Sequence, residues 1–368
     1  MLNTASNGKI GLREFTALYL LTIAAKFSDI TPAFLLPKGL TATWMVPLLS
    51  ALIISVPFLV LLFVLKKTKS TNLVELMEKT LGSYGSFFML LILFAIILSA
   101  AVLNSRSYVE TVNTMYMPQT PLPVLYIVFM AICLFIASKG FENIGRTAWI
   151  VLPYVKGALF LLLIFVWEDI NVLNIFPLAG PGVWEIAKQG VFQTSLYGEI
   201  FLFALLAHLG ADDYTFKRAS FIGLFIAAIE LAGMFAIYIF AFDYTSSAHL
   251  SFPFHQFTRM ANIGRFLTNM EAFFLVFWFV SAIVRISIYL YVTVYVFAKI
   301  ARLQSFLPLV LPFAALIIWI GMIPDNVIQV ELIYRDNYLL HFSWMAIMIL
   351  PFILWIISRL RGAQNESN

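Results

Sequence analysis

Apolar residues along this chain gather into long unbroken runs separated by short polar stretches. The pattern shows neither the two-residue alternation of a half-buried strand nor the narrow apolar stripe of a soluble helix. Ten runs stand out: Leu12–Leu36, Trp44–Leu65, Phe87–Tyr108, Leu122–Ser138, Ala148–Trp167, Gly190–Leu209, Ser220–Phe242, Ala272–Ala298, Phe306–Ile323 and Tyr338–Ile357. A helix rises 1.5 Å per residue, so about 20 apolar residues cross the roughly 30 Å hydrocarbon layer of a bilayer. Only the fourth run, bounded by Pro121, Pro123 and Ser138, is short for that task. The predicted fold class is therefore an all-α integral membrane protein of about ten transmembrane helices.

The polar stretches leave no room for a soluble domain, the largest being Glu168–Gln189, Asp243–Gly264 and Lys66–Ser86. A single transmembrane domain, 1–368, accounts for the chain, with a cytoplasmic tail over 358–368. Divided after the fifth run, the halves 12–167 and 190–357 each hold five spans. An odd number forces the halves into opposite orientations, the requirement for an inverted five-plus-five repeat. Matching interruptions support it. The first span is broken by Lys26-Phe27-Ser28-Asp29-Ile30-Thr31-Pro32, where proline lacks an amide donor, and the sixth carries Ser195-Leu196-Tyr197-Gly198-Glu199 at its middle. Unwound turns free backbone amides and carbonyls near the bilayer midplane. A carboxylate suits the amides, and an ammonium suits the carbonyls and acids, so the pattern points to a small polar ligand.

Composition strengthens the membrane reading: 62% of residues are hydrophobic, 11% are charged and the mean hydropathy is +0.93, against about 25% charged in an average protein. The first run carries Lys26 and Asp29 at its middle and no small-residue cleavage pattern follows it, so it reads as a retained span, not a signal peptide. The cations set the expected orientation. Lys9, Arg13, Lys66, Lys67, Lys69, Lys79, Lys139, Arg146, Lys217, Arg218, Lys299, Arg302, Arg359 and Arg361 fall on one side of the predicted spans. Only Lys38, Lys188, Arg259, Arg265 and Arg335 fall on the other. By the positive-inside rule both termini are expected in the cytoplasm. The net charge of +4 thus reflects topology, with no motif for nucleic acid, while Lys66–Lys69 is a candidate contact for anionic lipid. Cys133 is the only cysteine, and His208, His249, His255 and His341 lack metal-ligand spacing. No metal, cofactor or catalytic machinery is expected.

Seven charged residues lie away from the ends of the apolar runs: Lys26, Asp29, Arg106, Lys156, Glu199, Glu230 and Arg285. Each costs roughly 2.5–3.5 kcal/mol at a helix centre, so each should face the bundle interior with a partner. Lys26 and Asp29, three apart, either neutralise each other or serve a ligand. Arg106 either meets a ligand carboxylate or snorkels outward as an anchor. Glu271, Trp278 and Arg285 recur every seven residues and mark the inward face of the eighth span, near Phe274, while Asn104 and Tyr108 share a face of the third. The expected ligand contacts are Ser28, Asp29, Thr31, Asn104, Tyr108, Tyr197, Gly198, Glu199, Glu271, Phe274 and Trp278. Lys26, Arg106, Lys156, Glu230 and Arg285 form the expected intramembrane charge network.

Several segments resemble the B subunit of bacterial spore germinant receptors, of the GerAB type, within the amino acid–polyamine–organocation (APC) transporter superfamily. They are Leu36-Pro37-Lys38 closing the first span, Thr120-Pro121 before the fourth, Glu199 with Lys217-Arg218 after it, and Phe252-Pro253 through Gly264-Arg265-Phe266 to Glu271 and Trp278. Met322-Ile323-Pro324-Asp325 before the tenth span also fits. Where that family often has Gly-x-Gly in the first span this chain has Ile30-Thr31-Pro32, and Asn269 stands where arginine is common. The resemblance implies a LeuT/APC-like fold, a nutrient such as an amino acid as ligand, the spore inner membrane as location, and receptor A and C subunits as partners beside membrane lipid. Similarity to sodium-independent transporters implies that Lys156 places an ammonium where others bind sodium. The same fold also admits a proton-linked or ion-independent amino acid permease, or an ion-conducting or scaffolding subunit.

Overall fold

The computed structural model describes residues 8–247, 249–261, 270–326 and 329–366, which are helical apart from turns and one isolated bridge between Ile10 and Gly210. In chain order the helices are α1 (Leu12–Thr22), α2 (Thr31–Gly39), α3 (Met45–Lys67), α4 (Leu73–Met115), α5 (Leu122–Ser138), α6 (Phe141–Val166) and α7 (Val183–Phe192). They continue with α8 (Glu199–Leu205), α9 (Asp213–Ser247), α10 (Pro253–Met260), α11 (Met270–Ile300), α12 (Val310–Gly321) and α13 (His341–Glu366). Among the described residues six helices are long and apolar enough to cross a bilayer, and α1 with α2 makes a seventh span bent by 60°. The apolar helix α5, the apolar stretch Leu307–Gly321 and the segmented α7–α8 fill the remaining predicted runs.

α11 lies at the centre, packed on α4, α5 and α6, while α1 packs on α9 and α6. Burial follows this arrangement: 67% of the α11 span is inside the bundle, against 22% for α6 and for the last span. Lipid tails are as apolar as leucine, so close approach rather than hydrophobic exclusion holds such helices together. Gly223 of α9 shows the device, because a Cβ there would lie 2.5 Å from the Tyr19 Cβ of α1. The Tyr19 hydroxyl pairs with Ser220 Oγ at 2.6 Å one turn away.

Several boundaries differ from the sequence expectation, the fifth, sixth and seventh spans beginning early at Phe141, Val183 and Asp213. α4 extends 43 residues but leaves the helical path at Gly82, whose φ of +76° favours glycine, so residues 73–81 form a helix of their own ahead of the third span instead of a loop. α13 runs on to Glu366, through most of the expected tail 358–368. The tenth span begins nine residues before Tyr338, in a wide helical stretch over Gln329–Leu340. Arg335 therefore sits inside the bundle, 6% exposed, and not in an outer loop. The polar residues of that stretch lower its hydropathy although Arg335 itself turns inward. Gly264-Arg265-Phe266 and Asn269 lie outside the described residues.

Candidate functional site

The two interrupted spans break as expected and meet. After Thr22 the first span tightens into a 3₁₀ turn over Ala24–Ser28 and becomes extended at Asp29, before α2 restarts at Thr31. Pro32 occupies the first turn of α2, where a missing amide costs nothing. Asp29 Oδ1 accepts from the Thr31 amide at 2.7 Å, an Asx-type turn that starts the new helix. The sixth span tightens likewise over Gln193–Tyr197 and resumes as α8 at Glu199. Gly198 permits a close crossing there, since a Cβ would lie 2.9 Å from Ile347 of α13.

Lys26 bridges the two breaks. Its Nζ donates to the Leu196 carbonyl at 2.5 Å and to Glu199 Oε2 at 2.6 Å. Arg285 of α11 closes the ring, donating to Asp29 Oδ2 at 2.8 Å, to the Tyr108 hydroxyl at 2.7 Å and to Glu199 Oε1 at 3.3 Å. The Tyr289 hydroxyl donates to the same Glu199 oxygen at 2.9 Å. Arg335 donates to Asn104 Oδ1 and lies 3.8 Å from Asp29. Ions taken from water into low dielectric lose several kcal/mol each, so this set persists only because every carboxylate is shared between cations and further donors.

The ring borders a cavity of about 120 Å³ lined by Lys26, Thr31, Asn104, Gly198, Glu199, Arg285, Arg335 and apolar side chains of α4, α8 and α13. By a measure in which one water needs about 10–15 Å³, this holds a molecule of several heavy atoms. Ser195, in the cavity wall, carries a buried hydroxyl without a partner among the described residues, as does Arg285 Nε. A polar ligand would satisfy such groups.

The predicted contacts separate into three groups. Thr31, Asn104, Gly198 and Glu199 line the cavity together with Lys26 and Arg285. Asp29, Tyr108, Ser28 and Trp278 stand behind it: Asp29 and Tyr108 hold Arg285, and Trp278 Nε1 donates to the Ser28 carbonyl at 2.8 Å, supporting the broken turn. Tyr197, Glu271 and Phe274 are elsewhere. The Tyr197 hydroxyl donates to the Pro47 carbonyl at 2.8 Å, Glu271 pairs with Arg259 at the bundle end, and Phe274 faces a small void beside Lys156.

Nor is the charge network one network. Lys26 and Asp29 do not neutralise each other, because the break turns them to Glu199 and Arg285. Lys156 pairs with Glu230 on the flank of the bundle. Arg106 neither snorkels nor reaches the cavity. It is 2% exposed, donates to Glu110 at 2.7 Å and caps the Gly321 carbonyl at the end of α12 at 3.1 Å, where the helix dipole favours a cation. The sequence reading missed Tyr289, Arg335, Gln193 and Ser195. Tyr289 follows Arg285 by four and so shares its face, a signal that was available. No span-scale signal marks Arg335.

Comparison with known proteins agrees with this architecture. The sequence profile of a family described as "Spore germination protein" matches residues 30–330. Spore germination protein KB of Bacillus subtilis (strain 168) is 27% identical over 227 residues, 60% of each chain. Spore germination protein XB of Bacillus anthracis is 23% identical over 61% of this chain and 63% of its own. The matched region thus spans about three fifths of either relative. Among solved structures, MhsT in complex with L-phenylalanine superposes with a TM-score of 0.65 at 13% identity, over 94% of this chain and 97% of that one. At that identity the likeness shows a shared fold.

Proposed function

Because the chain belongs to the spore germination protein family, we propose that it is the membrane subunit of a spore germinant receptor, binding a small amino-acid-like nutrient between its broken spans. It is an integral membrane protein of transporter fold. The observation that carries the reading is the convergence of Lys26, Glu199 and Arg285 with two unwound turns on one cavity. Polar groups fixed in this way recognise the ends of a zwitterion, and the apolar wall from α4, α8 and α13 accepts a small side chain. The bound L-phenylalanine of the structural neighbour supports this ligand class, and the relatives' names support the role in germination.

In this reading the halves 12–167 and 190–357 form an inverted repeat, both termini are cytoplasmic, the membrane is the spore inner membrane, and A and C subunits complete the receptor. Ligand binding favours one arrangement of α2 and α8 about the cavity, and the partners read that arrangement. A permease reading shares the same site and is separated from sensing by uptake into liposomes.

The test is a thermal-shift screen of amino acids against the purified protein. A ligand at 100 times its Kd adds about 2.7 kcal/mol of stability. Thr31→Val, nearly isosteric in the cavity wall, should abolish the shift and raise the nutrient concentration needed for germination while the subunit stays in the membrane. A nutrient that shifts both proteins equally would place its site elsewhere.

A further inference from the structure

A second cleft, with no part in the central site, lies where the kinked start of α4 meets the end of α11. It encloses about 430 Å³ and is bordered by Ser83, Ser86, Lys299 and Arg302, with Glu78 on its rim. Apolar Phe87, Leu90 and Ile300 complete its lining.

Two observations mark it as more than a charged corner. Ser86 is 2% exposed and its hydroxyl has no partner among the described residues. A helical serine ordinarily bonds the carbonyl four residues back, but that residue is Gly82, whose φ of +76° and ψ of −178° take the backbone out of the helix. The kink thus leaves a buried hydroxyl facing the cleft. The cations are the second observation. Among the residues whose side chains are described, neither Lys299 nor Arg302 forms an ion pair; Arg302 donates to Ser83 Oγ at 2.7 Å and Lys299 lies over the Tyr295 ring. Arg302 also closes α11 at φ +54°, a position that glycine normally fills.

We propose that this cleft binds the phosphate headgroup of an anionic phospholipid. Lys299 and Arg302 against Glu78 leave one net positive charge, which a single phosphodiester matches. The Ser86 and Ser83 hydroxyls donate to its oxygens, and basic pockets between membrane helices are suited to such headgroups. The lipid origin of the phosphate follows from what adjoins the cleft. Phe87, Phe88 and Leu91 are 43%, 63% and 45% exposed along the outer face of α4. A molecule seated here therefore has acyl-compatible surface beside its charge, which a free anion does not use.

The experiment is native mass spectrometry of the purified full chain titrated with phosphatidylglycerol, phosphatidylcholine or inorganic phosphate. Phosphatidylglycerol should bind at least about fivefold more tightly than phosphatidylcholine, and Lys299→Gln should remove about that factor, the effect of one cation near a lipid surface. Arg302→Gly separates binding from folding. It suits the left-handed backbone, so it should raise the melting temperature without lipid and still lose about fivefold in phosphatidylglycerol affinity. Ser86→Ala should weaken binding without destabilising the helix. Unchanged lipid affinity in Lys299→Gln and Arg302→Gly overturns the proposal. An equal loss in Lys66→Gln, in the last turn of α3 and not part of the cleft lining, overturns it in favour of diffuse surface charge. Inorganic phosphate that displaces the lipid at equal concentration overturns the lipid assignment.

Discussion

Glu199→Gln, read against Lys26→Met, tests the buried ring most sharply. Glu199 is 1% exposed at its side chain, accepts from Lys26 at 2.6 Å and from Tyr289 at 2.9 Å, and faces Arg285 at 3.3 Å. The glutamine keeps the shape but presents a neutral amide to two buried cations, leaving only Asp29 to balance them. Breaking a buried pair from one side costs about 3–5 kcal/mol, whereas replacing both members by neutral groups is often close to neutral. The single variant should therefore melt about 4–7 °C lower, at about 1.3 °C per kcal/mol for a chain of this size. Adding Lys26→Met should restore most of that loss. The protein carries its own reporter: Cys133 is the only cysteine and is fully buried, so labelling by a thiol-reactive dye follows unfolding directly. If the two substitutions add to within about 0.5 kcal/mol, the Lys26–Glu199 pair is not coupled and the ring does not hold the broken spans together.

Arg106→Met should destabilise by about 2–4 kcal/mol, because it strands Glu110 and uncaps the Gly321 carbonyl; an unchanged melting curve would return Arg106 to a simple interfacial anchor. Tyr197→Phe should cost about 1–2 kcal/mol through the lost bond to the Pro47 carbonyl yet leave nutrient sensitivity unaltered, and a changed germination threshold would place the hydroxyl in the site. His255 of α10, in the segment between the seventh and eighth spans, is pushed down to about 3 by burial, with Arg259 a lesser cause. Below an unfolded value near 6.5 only the unfolded chain takes up the proton, so stability is full above that pH and falls by about 1.4 kcal/mol per unit toward pH 3. Thermal melts from pH 7.5 to 4.5 should therefore flatten in His255→Gln, and an identical slope in both proteins would refute the burial argument.

The sequence alone made the membrane class, the broken first and sixth spans and the buried ionisable residues legible, for one physical reason. Hydrocarbon tolerates neither a stray charge nor an unpaired amide, so an exception inside a long apolar run is visible in one dimension. Partner choice was not visible in that way. Lys26 and Asp29 are neighbours in sequence, yet a turn of extended backbone at Asp29 directs them to Glu199 and Arg285, residues 173 and 256 positions distant. The seven-residue recurrence of Glu271, Trp278 and Arg285 identified one face of α11 correctly but not depth along it. Only Arg285 lines the cavity, while Trp278 supports the turn and Glu271 lies outside. Arg335 was hidden because hydropathy averages over a window, and its polar neighbours made an inward-facing turn resemble a loop. Local chemistry determined where the helices run and where they fail; tertiary packing decided which charges meet, since pairing depends on crossings between segments far apart in the chain.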